Sequence, residues 1–180
     1  MRISGYRHRF PSVLENVQVY AVAATPLYVW SILWLFWGLP SWLNHLTVGE
    51  ILPIFAYALA IDLFESLLIL AGLNLLCFLL PQKWFHESFV ARSCLLVLPG
   101  LGYLMYFASS FGKEADYPTG LLRWSPVVFL LLFFVSLLLS RIFAVRNLAE
   151  VVADRLVIFL YLTTPLSLLS LFVVILRNLW

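Results

Sequence analysis

Two carboxylates three residues apart, Asp62 and Glu65, stand near the middle of a long apolar run from Ile51 to Leu80. A carboxylate at the centre of a bilayer costs about 2.5–3.5 kcal/mol or more, and two neighbouring carboxylates repel if both ionise. A pair at this depth therefore needs compensation. It can bind and release protons or cations in a hydrated cavity, receive hydrogen bonds in a satisfied polar knot, or meet a basic group on another protein. The spacing puts Asp62 and Glu65 on one face of a helix, with Ser66 one turn beyond Asp62.

Few other residues can complete such a site. Thr163, Thr164 and Ser167 fall at similar depth in the last apolar segment, around Pro165. With Tyr161, they are the expected hydrogen-bonding partners of the carboxylates in a polar knot, and the three form one intramembrane polar site with Asp62, Glu65 and Ser66. Arg123 opens the fourth apolar segment beside Trp124. It is the one candidate ion-pair partner within the chain, reached by snorkelling, although an interfacial anchor is its simpler role. Asn74 is expected to bond between helices as packing glue. Pro99, Gly100 and Gly102 mark a place where a helix would bend or break.

His8, His45 and His86 are scattered, with no metal-ligand spacing, and Cys77 and Cys94 read as buried thiols. No metal or cofactor is expected. The chain contains no phosphate-binding glycine loop, nucleophile elbow or zinc-protease motif, so the reading leans against an enzyme. The basic start, MRISGYRHR, suits orientation in a membrane and contact with anionic lipid rather than nucleic acid.

The elements that must position these residues are membrane helices. Of 180 residues, 63% are hydrophobic and 11% charged, with mean hydropathy +0.99. Soluble domains carry about 25% charged residues, so this chain could not cover its apolar surface in water. Apolar segments of about 20 residues match the thickness of a hydrocarbon core. They predict an all-α, polytopic membrane helix bundle forming one transmembrane domain over 1–180. Its five spans are expected near 17–38, 50–80, 93–111, 125–145 and 156–176. Ser12 with Glu15, and Thr47 with Glu50, have the spacing of capping boxes at the first two starts. The last helix is expected to begin early, through the amphipathic stretch 148–155.

Arg2, Arg7, Arg9, Lys83, Arg92, Arg141, Arg146 and Arg155 collect on one side, and Lys113, Arg123 and Arg177 on the other. The positive-inside rule then puts the N-terminus in the cytoplasm and the C-terminus outside. A plasma membrane is the default address.

The leading functional expectation is a non-enzymatic accessory or assembly subunit, in contact with the lipid bilayer and with a protein partner or further copies of itself. The rival is a small proton- or cation-coupled transporter or channel using Asp62 and Glu65.

Overall fold

The computed structural model describes residues 11–81, 88–111 and 119–179. Within them lie five long helices and no strand: α1 Val13–Trp42, α2 Val48–Leu79, α3 Phe89–Phe111, α4 Thr119–Leu139 and α5 Phe143–Leu179. The basic N-terminal residues Arg2, Arg7 and Arg9, together with His8, Lys83, His86 and Lys113, lie outside the described residues.

The first two helix starts are fixed by side chains. Ser12 caps α1 through its hydroxyl, which accepts from the Glu15 amide at 3.3 Å, while Glu15 Oε2 accepts from the Ser12 amide at 2.7 Å. At α2, Glu50 Oε2 accepts from the Thr47 amide and hydroxyl, both at 2.8 Å. These bonds satisfy groups that a helix start leaves without intrahelical partners. At its other end, α1 is covered by Trp42. A Cβ at Gly38 would lie 2.9 Å from Trp42 Cζ2, so a larger residue there would have to displace the indole.

Four helices are long and apolar enough to cross a membrane: α1, α2, the Phe89–Ser109 part of α3, and α5. In α4 the stretch Arg123–Leu139 is a shorter apolar helix. The chain is an all-helical bundle with the dimensions of an integral membrane protein. Its outward faces carry large apolar side chains such as Leu33, Trp37, Leu68, Leu130, Leu162 and Leu168. Lipid accepts such a surface and water does not.

Hydrogen bonds record the direction of each helix. On α1 and α2, Asn16 accepts from Asn74 at 2.8 Å and Ser31 donates to Asp62 at 2.7 Å, so residue numbers rise on one helix as they fall on the other. These two helices are antiparallel. On α1 and α5, Gln18 pairs with Asp154 and Tyr28 with Ser167, so both numbers rise together and the helices are parallel. Arg92 and Tyr103 of α3 meet Ser140, just past the end of α4, and Phe129 within it, which makes that pair antiparallel.

Helix α1 lies at the centre and packs on α2, α3 and α5, whereas α4 packs chiefly on α3. Small residues make this possible. Ala21, Val22, Ala23 and Ala24 are fully buried and let neighbouring backbones come close. The main core joins Val19–Leu27 of α1 to Leu73 and Cys77 of α2, Phe89–Leu101 of α3, and Ala149 and Ala153 of α5. All of these lie toward the end where α1 begins. Toward the other end α1 and α2 meet through the Phe36 and Phe55 rings, and α5 is tied to α2 by Asn178 Nδ2, which donates to the Tyr57 hydroxyl at 2.9 Å.

The helices differ from the sequence expectation at several ends, α4 starting at Thr119 and α1 running on to Trp42 among them. The expected 125–145 span stops at Leu139, and the chain turns through Ser140–Ile142 before α5 starts at Phe143. Tight bonds from Arg141 N to Leu138 O and Ile142 N to Leu139 O close that turn, and Ser140 Oγ donates to Leu137 O. Such local bonds compete with helix propagation. As a result α5 begins earlier than 148–155 and runs for 37 residues. The Pro99–Gly102 segment, expected as a hinge, is continuous helix within α3.

A buried acidic crossing and an open carboxylate groove

Asp62 and Glu65 both lie near the middle of α2, yet they have different surroundings. Asp62 is 4% exposed, enclosed where α2 crosses α1 and α5. Glu65 is exposed and lines a cavity on the surface. The reason is angular. Three helical residues turn about 300°, which leaves a gap of about 60° between the two side chains. Ser66 falls on the other side of Asp62 and is fully buried, donating to Leu63 O at 2.9 Å.

The surroundings of Asp62 are rich in oxygen. Its Oδ1 accepts from the Ser31 hydroxyl at 2.7 Å. Its Oδ2 is buried and has no hydrogen-bond partner. One turn away on α1, the Tyr28 hydroxyl lies 3.3 Å from Leu59 O and against Ser167 Oγ of α5. Ser167 in turn donates to Thr163 O at 2.5 Å, and Thr163 donates to Phe159 O at 3.1 Å. The crossing therefore ties three helices through Tyr28, Ser31, Leu59, Asp62 and Ser167.

Only part of the sequence-derived set converges here. Asp62 and Ser167 both belong to the crossing, bridged by α1 rather than bonded to each other. Thr163 is buried beside them, whereas Tyr161, Thr164 and Glu65 are exposed. Arg123 is exposed on α4, and among the described residues it forms no ion pair with either carboxylate. Tyr28 and Ser31 were not foreseen.

A signal for them was present. Thr25-Pro26-Leu27-Tyr28-Val29-Trp30-Ser31 and Thr164-Pro165-Leu166-Ser167-Leu168-Leu169-Ser170 share the pattern Thr-Pro-Leu-x-x-x-Ser. The parallel helices α1 and α5 meet at matching positions of these segments, Tyr28 against Ser167.

The second feature is a groove. Helices α2 and α3 both pack along α1 but have no comparable interface with each other. Between them, on the outer face of α1, lie two cavities. One of about 410 Å³ includes Leu27, Trp30, Glu65, Leu68, Leu101 and Met105 in its wall. The other, of about 690 Å³, includes Trp30, Ser31, Trp34, Trp37, Ala58 and Ser109. They share Trp30 and Ala108, and so form successive parts of one groove. Its floor runs from Leu27 to Trp37, about 15 Å of helix. Glu65 is its only carboxylate lining among the described residues. Ser31 lies both in the groove and against Asp62.

Asn74 does what the sequence suggests, bonding to Asn16 across α1 and α2. Cys77 and Cys94 are buried in the main core. Among the described residues no group of three or more His, Cys, Asp or Glu could hold a metal ion.

Comparison with known protein families, curated proteins and solved structures finds no match.

Proposed function

We propose that the chain is a non-enzymatic accessory or assembly subunit of a membrane complex. The groove between α2 and α3 receives a transmembrane helix of another protein, one that presents a basic or hydrogen-bond-donating side chain to Glu65. The observation that carries this reading is the placement of Glu65, exposed at the middle of α2 and without an ion pair among the described residues. A charge facing lipid at that depth costs about 2.5–3.5 kcal/mol. A partner helix that covers it with Lys, Arg or His removes that cost and fills the groove with apolar contact. Specificity follows, because a helix without the donor leaves the carboxylate buried and unsatisfied.

The transporter reading, with Asp62 and Glu65 on one conduction path, has less support. The two carboxylates face different surroundings, and only Glu65 opens to the groove. The excess of basic residues at the end where α1 begins favours a cytoplasmic N-terminus, and a plasma membrane is the working address.

Site-specific crosslinking tests the proposal. A photoreactive residue at Leu68 or Leu104, both lining the groove, is expected to capture one apolar peptide containing a basic residue. Leu131, exposed on α4, is the control. In native lipid discs the captured partner is expected to co-purify with the wild type and to be lost with Glu65→Leu. Capture from Leu131 alone, or a partner retained by Glu65→Leu, overturns the reading.

A further inference from the structure

We infer that the α1–α2–α5 crossing is a binding site for a monovalent metal cation of the sodium type, held by Asp62 with Ser31, Tyr28, Ser167 and the Leu59 carbonyl. This site is separate from the docking of a helix at Glu65 and does not depend on it.

The donors and acceptors at the crossing do not balance. The hydroxyl protons that ring the carboxylate from α1, α2 and α5 at Ser31, Ser66, Thr163 and Ser167 already have acceptors. Ser31 donates to Asp62 Oδ1 and Ser167 to Thr163 O; Thr163 donates to Phe159 O and Ser66 to Leu63 O. The single proton of Tyr28 has two acceptors within reach, Leu59 O and Ser167 Oγ. None of these groups donates to Asp62 Oδ2, which is enclosed and without a hydrogen-bond partner. A proton placed on Oδ2 would itself have no acceptor. A metal cation, in contrast, contacts several oxygens at once and uses lone pairs that hydrogen bonds leave over. The ligands on offer are hard oxygens of a carboxylate, hydroxyls and a carbonyl, which suit a hard cation.

Charge fixes the valence. Asp62 is the one carboxylate in the crossing, and Glu65 points to the groove. No Lys, Arg or His pairs with Asp62 among the described residues. Helix α1 faces it with Tyr28 and Ser31, and the buried polar residues of α5 at this level are the neutral Thr163, Ser167 and Ser170. One negative charge in an apolar bilayer is neutralised by one positive charge; a divalent ion would leave an excess. Geometry fixes compactness and access. Tyr28 and Ser31 are one turn apart on α1, Leu59 and Asp62 one turn apart on α2, and their two contacts cross. The oxygens therefore fall within about 5 Å of one another along the axis. Ser31 also lines the larger, tryptophan-walled part of the groove. An ion reaching that cavity meets the site through this hydroxyl.

The test uses the full chain in lipid discs, with sodium, potassium or choline chloride at equal ionic strength. Sodium is expected to raise the melting temperature in a saturable way, as a ligand specific to the folded state does, and to show broadened sodium-23 resonances. Asp62→Asn is expected to abolish both effects, while Glu65→Gln keeps them. Should Asp62→Asn not fold, Ser31→Ala supplies the second reading. Loss of that oxygen is expected to raise the half-saturating sodium concentration about tenfold. Wild-type melting that ignores the identity of the cation, or a sodium response unchanged in Asp62→Asn or in Ser31→Ala, overturns the inference. A sodium response lost in Glu65→Gln would overturn it too, by moving the ion to the groove.

Discussion

Tyr28 on α1 meets Ser167 on α5 at matching positions of two Thr-Pro-Leu segments, and the same phenol reaches the Leu59 carbonyl of α2. One side chain thus joins three helices at the depth of Asp62. Tyr28 is 1% exposed and Ser167 is 1% exposed, so neither hydroxyl can fall back on water.

The first prediction concerns this joint. Hydrogen bonds between membrane helices average about 0.6 kcal/mol, with a maximum of about 1.7. Tyr28→Phe keeps the ring and removes the hydroxyl, and Ser167→Ala removes the opposite oxygen. Each is expected to lower stability by an amount in that range. The double substitution is expected to cost less than the two singles together, because both delete the same contact. Reversible unfolding in mixed micelles measures all three. Strict additivity would show that the contact contributes nothing.

The bundle and its carboxylates were legible in the sequence, but their division of labour was not. Apolar runs of membrane length gave the helices, and Ser12–Glu15 and Thr47–Glu50 marked two of their starts. Helical spacing alone sets Asp62 and Glu65 about 60° apart around α2. At a three-helix crossing, that angle separates an enclosed residue from one at the surface. Which side is enclosed depends on α1, whose central position is a property of packing and not of any local pattern. The turn at Ser140–Ile142 was hidden for a related reason. It contains neither proline nor glycine, and the bond from Arg92 to Ser140 that accompanies it exists only in the folded bundle.

Ser140 supports a second prediction. Arg92 is 8% exposed, and its Nε donates to Ser140 Oγ at 3.0 Å. Hydrogen bonds to charged groups contribute about 1.5–3 kcal/mol. Ser140→Ala is expected to destabilise the fold by an amount in that range, whereas Ser140→Thr keeps the oxygen and is expected to cost less. Chemical denaturation in detergent distinguishes them. Equal losses would assign the effect to the turn and not to the arginine.

Gly100 supplies a third. A Cβ there would approach Phe129 Cε1 to 3.0 Å, with the next nearest atom at 3.8 Å. The obstacle is the far edge of a ring that is 36% exposed, so a small rotation relieves it. Gly100→Ala is therefore expected to fold with little change. Gly100→Leu exceeds what that rotation can give and is expected to push α4 away from α3. Spin labels at Tyr106 and Trp124, both exposed, report the separation. An unchanged distance in Gly100→Leu would mean that α4 is held by something other than close packing at this glycine.

The last prediction concerns orientation. Arg92, Arg141, Arg146 and Arg155 cluster where α1 and α5 begin, and Arg123 and Arg177 lie toward the opposite end. The K/R bias places the richer end in the cytoplasm. The turn between α1 and α2 then faces outward, and the turn between α4 and α5 faces inward. Asn44 and Ile142 are exposed in these turns. In a background with Cys77 and Cys94 replaced by serine, a cysteine at Asn44 is expected to react with a membrane-impermeant maleimide on intact cells. A cysteine at Ile142 is expected to react only after lysis. Adding lysines to the Asn44 turn while replacing Arg141 and Arg146 with glutamine is expected to weaken the preference and label both sites partly. Exclusive labelling of Ile142 on intact cells would invert the protein. The Trp37 end of the groove would then face the cytoplasm, and a partner helix would have to present its basic side chain at Glu65 in the opposite direction.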